Sequence, residues 1–247
     1  PGSALDLARL QYVERGARGE RDYGNLFPSL NASHQLRERL LLRASYARTM
    51  TRPQITSVVP TTTVTDPAST AFPTITVNNP GLKPWTSDNY DLTLESYEFK
   101  GATLAVSGFR KQISKFFTSV RVPATQALLD QFGLPDELAS SNYEIITRQN
   151  STQDAIINGF EWSWRQSFRP FAGLPAWARS LGASINGTHL RLTGPGANEF
   201  SGYSTRTINW GLAYAKGNFA IKANASYTNG PRNAVVAANA PTPAGTY

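Results

Sequence analysis

The residues able to do chemistry are few, and their spacing suits catalysis poorly. None of the 247 residues is cysteine, which excludes disulfide frameworks, thiolate metal sites and cysteine nucleophiles together. His34 and His189 are the only histidines, and each stands alone in a strand-like run without further ligands at metal-binding spacing. Both read as packed or lumenal residues, so no metal and no cofactor is expected. The segments GFEWS and GASING lack the G-x-S-x-G spacing of a nucleophile elbow, and no Ser/His/Asp set is identifiable. GPGANE, from Gly194 to Glu199, has only the first two glycines of a dinucleotide fingerprint and reads as a turn. The chain is expected not to be an enzyme.

The charges that remain are arranged by period. In the run from Gly159, the side chains of Glu161, Ser163, Arg165, Ser167 and Arg169 share one face, whereas Phe160, Trp162, Trp164 and Phe168 share the other. A helix would scatter these residues around its circumference; a strand separates them cleanly. The same two-residue period runs through Leu30–Leu36, through Leu42, Ala44 and Tyr46, and through Tyr90, Leu92 and Leu94. It returns in Ile208, Trp210, Leu212 and Tyr214, then in Phe219, Ile221, Ala223, Ala225 and Tyr227. Residues 102–117 and 178–192 also read as strands, with blurred alternation.

The connections between these runs alternate short and long. Tight turns are expected at Arg37–Arg39, Lys100–Gly101 and Lys216–Gly217 and a short Pro-containing turn near 172–177, with long spans at about 50–87 and 118–154 and a medium loop at about 193–204. Thr125 could cap a two-turn helix QALLDQF, with Gly133 and Pro135 stopping it. The Pro- and Thr-rich stretch Pro53–Pro80 lacks periodicity and reads as loop or extended excursion. Soluble sandwiches do not usually sort their loops by length in this way, whereas outer-membrane barrels carry short turns at one end and long loops at the other.

Composition is compatible with a membrane wall. No apolar stretch approaches the roughly 18 residues of a transmembrane helix, but a barrel strand needs only about 9–11 alternating residues. The chain is 40% hydrophobic with a mean hydropathy of −0.34, an average that polar strand faces and long loops dilute. Its net charge of +7 permits an anionic partner, and the basic run Arg15–Arg21 together with Arg37, Arg39, Arg43, Arg48 and Arg52 raises nucleic acid as one. These arginines spread over turns, strand faces and loop bases without forming one groove, so no nucleic-acid partner is expected.

Aromatic residues gather towards strand ends, as Tyr46 and Tyr90 do beside one long span and Phe168, Phe171, Trp177, Tyr214 and Phe219 do beside short turns. Rings of this kind prefer the headgroup level of a bilayer. We therefore assign Trp162, Trp164, Trp210, Tyr214 and Phe219 to a lipid-facing surface and Glu161, Arg165 and Arg169 to the lumen. Period alone leaves one alternative, a soluble or secreted β-sheet module that binds glycans through exposed aromatics.

The runs FPSLNASHQLRERLLLRASYARTMTRPQ, NPGLKPWTSDNYDLTLESYEFKGATLAVSGFRKQISKFF and GFEWSWRQSFRPF resemble the C-terminal half of the barrel of TonB-dependent outer-membrane receptors. The most specific part is an NP-x-LKP-x-x-S-x-NYDL-x-LE pattern carried by Asn79, Pro80, Leu82, Lys83, Pro84, Ser87, Asn89, Tyr90, Asp91, Leu92, Leu94 and Glu95. The resemblance implies an all-β, antiparallel transmembrane barrel of about 22 strands, of which about eight to ten lie here. It implies that residues 1–247 are part of one barrel domain, with the plug domain and terminal strands outside this piece. It also implies import of a scarce nutrient across the outer membrane, with lipid, the TonB system and a small-molecule ligand as partners. An oligosaccharide is favoured and a ferric siderophore comes second. The ligand-contact candidates are Arg52, Trp85, Asp88, Arg121 and Arg148, which mix aromatic, acidic and basic character.

Overall fold

The computed structural model describes residues 24–65, 73–132, 134, 136, 142–200, 202–230, 235–236 and 245–246. The basic run Arg15–Arg21 lies outside the described residues. The chain divides into two units, one made chiefly of Leu26–Thr49, Ser87–Ile113 and residues from Gln153 onward, the other chiefly of Met50–Thr86 and Ser114–Thr152.

The first unit is an eight-stranded sheet. Its strands are β1 (Ser29–Arg37), β2 (Leu40–Thr51), β5 (Trp85–Ser96), β6 (Ala102–Ser114), β9 (Ala155–Ser167), β10 (Leu181–Thr193), β11 (Arg206–Lys216) and β12 (Phe219–Thr228). They follow one another across the sheet in that order, and the pairings of β1 with β2, β6 with β9, and β9 through β12 are antiparallel. Every long run of alternation in the sequence is a strand of this sheet. Its short connections are those after β1, β5 and β11, and Gly101 and Gly217 take left-handed φ values of 71° and 58° in two of them. The short turn expected at 172–177 is instead a connection from 168 to 180, as long as the one from 194 to 205, because it includes the single helical turn Ala178–Ser180. The β9 alternation stops at Ser167, two residues earlier than the sequence suggests, because Phe168–Pro170 already bends away from the strand.

The cross-strand register defines two faces. On one face Trp164 stands opposite Leu104 and Ile185, and Ile185 stands opposite Trp210. The neighbouring row holds Val106, Trp162, Gly187 and Ile208, and the rows beyond Trp210 hold Leu212, Tyr214, Ile221 and Phe219. Trp162 needs the missing side chain of Gly187, since a Cβ there would meet its indole at 2.8 Å. Large apolar side chains on this face stay open: Val106, Phe160, Trp210, Leu212, Phe219, Ile221, Leu92 and Leu94 are all exposed. The opposite face carries Arg43 paired with Glu95 at 3.1 Å, a Thr93–Ser107 hydrogen bond of 2.7 Å and an Asn209–Asn186 bond of 3.0 Å.

Near the end of the sheet where the long connections leave, the polarity of the faces exchanges. Continuing the apolar rows, Gly108, Phe160, His189 and Arg206 are followed by Arg110, Asn158 and Arg191. On the other face at this level stand Phe109, Leu190, Ile157, Leu192 and Ile113. Phe109 lies against Gly159, where any Cβ would collide with its ring. This exchange is why residues 102–117 and 178–192 alternate poorly as sequences.

The second unit corrects two sequence expectations. The Pro53–Pro80 excursion contains the helical turn α1 (Ile55–Val58), β3 (Thr62–Val64) and β4 (Thr74–Val77). The 118–154 span contains β7 (Phe117–Pro123) and β8 (Glu144–Asn150) on either side of the expected helix, α2 (Gln126–Phe132). Together they make a four-stranded sheet in the order β3-β4-β8-β7, with β4 parallel to β8. Its apolar centre is Ile75, Val77, Ala124, Leu129, Tyr143 and Ile145. The Thr125 carbonyl accepts the amides of Leu128 and Leu129 at the start of α2, as expected of a residue beginning that helix.

Candidate functional site

The specific NP-x-LKP motif does structural work. The Asn79 side chain accepts the Gly81 amide at 2.8 Å and donates to the Arg148 carbonyl at 2.9 Å, tying the motif to β8. Asn150 clamps it further on, accepting the Lys83 amide at 2.8 Å and donating to the carbonyls of Lys83 and Lys115, each at 2.7 Å. Lys115 adopts a left-handed φ of 60° at the break between β6 and β7. Asn89 donates to the Ala47 carbonyl at 2.9 Å and to the Thr49 hydroxyl at 3.1 Å, fixing β5 beside β2. A motif this dense in side chain to backbone bonds holds irregular backbone in one shape.

The five ligand-contact candidates do not form one cluster. Arg52 directly follows β2, and Trp85 opens β5. Asp88 belongs to the apolar face of the large sheet, where it accepts the Tyr46 hydroxyl at 2.8 Å and lies 4.0 Å from Arg48. The Tyr46 and Tyr90 rings meet beside it, 5.1 Å apart and tilted by 36°. Arg121 and Arg148 do come together on the small sheet, since Ser119 stands opposite Arg148 and Arg121 opposite Ile146. Arg121 is engaged by Glu144 at 3.2 Å.

Arg148 lines a cavity of about 370 Å³ together with Gln54, Thr56, Ser57, Asn78 and Thr147. Its guanidinium donates to the Ser57 hydroxyl at 3.0 Å, leaving further N–H groups of its five free to meet a ligand. The Thr147 hydroxyl oxygen is buried without a hydrogen-bond partner. The Asn78 amide is spent on the Thr56 and Val59 carbonyls and the Thr61 hydroxyl, shaping the wall. Sequence reading missed Ser57, Asn78 and Thr147 because the parallel β4–β8 pairing, which no local pattern announces, is what gathers them.

The lumen candidates Glu161 and Arg165 share the polar face of β9. Glu161 accepts from Thr188 at 3.5 Å, and Arg165 stands opposite Thr103 and Ser184. Arg169 lies past the end of the strand, in the turn, with its carbonyl accepting the Arg179 side chain at 3.3 Å. The lipid candidates Trp162, Trp164 and Trp210 lie on the apolar face, and the Tyr214 and Phe219 rings meet there at 6.2 Å. Phe168 and Phe171 form a second ring pair at 6.3 Å, with the Lys100 ammonium 5.7 Å from the Phe171 ring. His189 packs against Phe160 at 5.5 Å, as a wall residue would. Among the described residues no group of three potential metal ligands converges. In the short connection after β5, Glu95 accepts the Tyr97 hydroxyl at 2.9 Å and thereby holds that phenol above its ordinary pKa.

Residues 6–247 match the family described as TonB dependent receptor-like, beta-barrel. A comparison with curated protein sequences finds no match. Among solved structures, the fold is similar to the siderophore receptor PirA of Pseudomonas aeruginosa, with a TM-score of 0.59 and 19% identity over 84% of this chain and 34% of that one. It is also similar to the ferric enterobactin receptor PfeA of Pseudomonas aeruginosa in complex with enterobactin, with a TM-score of 0.63 and 24% identity over 85% of this chain and 28% of that one. The PirA receptor of Acinetobacter baumannii gives a TM-score of 0.55 at 19% identity, covering 82% and 28% respectively. The chain thus spans about a third of the length of these receptors. The same family match sets aside the soluble sheet module. An eight-stranded meander with one open apolar face is what a section of barrel wall requires, and the chain belongs to the TonB-dependent receptor β-barrel family of the bacterial outer membrane.

Proposed function

We propose that this chain forms wall strands and ligand-capturing connections of a receptor that imports a ferric siderophore with energy relayed by TonB. The apolar face, with Trp162, Trp164, Trp210, Tyr214 and Phe219, meets lipid, and the face with Glu161 and Arg165 meets the lumen or a plug. The small unit, built from the connections between β2 and β5 and between β6 and β9, meets the ligand. A siderophore now ranks above an oligosaccharide for one reason in this chain: the cavity beside Arg148 offers a guanidinium and hydroxyls but no aromatic lining residue. Guanidinium N–H groups suit the anionic oxygens of a ferric chelate, whereas a sugar face favours an aromatic platform. The siderophore receptors of similar fold support the same order.

The test uses the intact parent receptor in cells that lack other iron receptors. Cells should accumulate radioiron from ferric enterobactin, and removal of TonB should abolish that accumulation. Equal accumulation with and without TonB, or TonB-dependent uptake of maltohexaose with none of iron, would overturn the proposal.

A further inference from the structure

The exchange of polarity near the long-connection end leaves arginines on the outer face that no carboxylate among the described residues neutralises. Arg110 of β6, Arg191 of β10 and Arg206 of β11 all lie on the face that carries Trp164 and Trp210 below them, and all three are exposed. Arg110 and Arg191 belong to one row with Asn158 between them, and Arg206 belongs to the row beneath, opposite His189. The Arg110 guanidinium donates only a long 3.4 Å bond to Asn158. Among the described residues no carboxylate pairs with any of the three. Arg48, on β2 of the same sheet, does have its carboxylate, Asp88.

Depth along the strands says what these arginines meet. From the ring row of Tyr214 to the row of Arg110 and Arg191, the strands advance about 33 Å at the ordinary rise. At a tilt of about 40° that is about 25 Å along the membrane normal, the height of a barrel's apolar band. The arginines therefore sit at the upper edge of the band, at the level of the outer-leaflet headgroups. Strand spacing places Arg110, Arg191 and Arg206 across about 14 Å of the outer surface, close enough for neighbouring side chains to converge on one phosphate or to bridge two. A fork of N–H donors meets phosphate oxygens bidentately.

We propose that Arg110, Arg191 and Arg206 form a binding row for the phosphate groups of an anionic glycolipid in the outer leaflet. The inference rests on the apolar face being the lipid-facing one. Below the arginines, Phe160 is exposed on the same face and offers its ring to the first part of the acyl chains.

The intact receptor, purified in mild detergent and mixed with diphosphoryl lipid A, should retain the lipid as an adduct in native mass spectrometry. The paired change Arg110→Gln with Arg191→Gln should lower retention about tenfold or more, Arg110→Lys with Arg191→Lys should restore part of it, and Lys222→Gln on the opposite face should leave it unchanged. Raising salt should weaken retention in the unmodified receptor, and phosphatidylcholine should not be retained. Millimolar inorganic phosphate should compete poorly, since the acyl chains add to binding. Equal retention by the paired Gln variant, retention indifferent to salt, or full displacement by inorganic phosphate would overturn the proposal. If the paired variant fails to reach the membrane, the single changes and the salt series still decide. A receptor that sits in the bilayer yet retains no lipid A defeats this proposal and leaves the lipid-facing assignment standing.

Discussion

Replacing Trp210 by arginine should destabilise the barrel in a way that depends on depth and face. Trp210 lies on the apolar face opposite Ile185 and Ala225, and its side chain is 46% exposed in a protein that offers it no cover. Along β11, Tyr214 marks one edge of the apolar band and Arg206 the other, each about 13 Å of strand from Trp210. With a strand tilt of about 40°, both edges lie about 10 Å away along the membrane normal, so Trp210 sits near the midplane. An arginine at that depth costs about 2–4 kcal/mol, which lowers the folding equilibrium constant roughly 30-fold to several hundred-fold. The assay is denaturant-dependent folding of the intact receptor into vesicles, with Trp210→Ala as the reference that removes the ring without adding charge. Tyr214→Arg, at the band edge, should cost only about 0–1 kcal/mol. Asn209→Arg, one residue away on the polar face, should cost about 1 kcal/mol through its lost bond to Asn186. Equal losses at Trp210 and Asn209, or no loss beyond Trp210→Ala, would refute the lipid assignment.

Glycine positions offer a second contrast: Gly159→Val should cost about 1–3 kcal/mol by driving the side chain into the Phe109 ring, whereas Gly108→Val meets nothing within 4 Å and should be tolerated, as denaturant midpoints would record. Asn150→Ala removes the clamp on Lys83 and Lys115 and should speed amide exchange and proteolysis in Met50–Thr86 and Ser114–Thr152 while leaving β9–β12 protected. The Tyr97 phenol titrates above its ordinary value because Glu95 accepts its proton, so that bond is intact below about pH 10 and is lost as pH rises through the elevated value. Phenolate absorbance compared with Tyr97→Phe should show this late step, and a normal titration would contradict it.

The sheet was legible wherever one face carries an unbroken apolar run of three or more residues. Phe160, Trp162 and Trp164, or Ile208, Trp210 and Leu212, announce a face by themselves. The blur in residues 102–117 has a physical origin, for Leu104 and Val106 lie in the apolar band while Arg110 and Gln112 lie beyond it, and Phe109 and Ile113 turn apolar on the other side. A period-two reading averages across that crossing and loses it. The small sheet was illegible because its pairings are non-local: Ile75 finds Ile145 in a parallel ladder, and β3 and β4 are only three and four residues long. The cavity beside Arg148 inherits that illegibility. Arg148 could be named as a candidate from its charge and position, but Ser57 and Thr147 become neighbours only after the ladder forms.

The claim that carries the rest is that the face bearing Trp210 contacts lipid and the face bearing Asn209 does not. The chain has no cysteine of its own, so, once any cysteine in the rest of the receptor is replaced, single cysteines can be placed along β11 at Thr207, Ile208, Asn209, Trp210, Leu212, Ala213 and Tyr214 and spin-labelled in the intact receptor in a bilayer. Collisions with oxygen, which concentrates in the hydrocarbon, should be high at Ile208, Trp210, Leu212 and Tyr214, and low at Thr207, Asn209 and Ala213. The same collision rates at neighbouring positions, or the opposite alternation, would contradict the account.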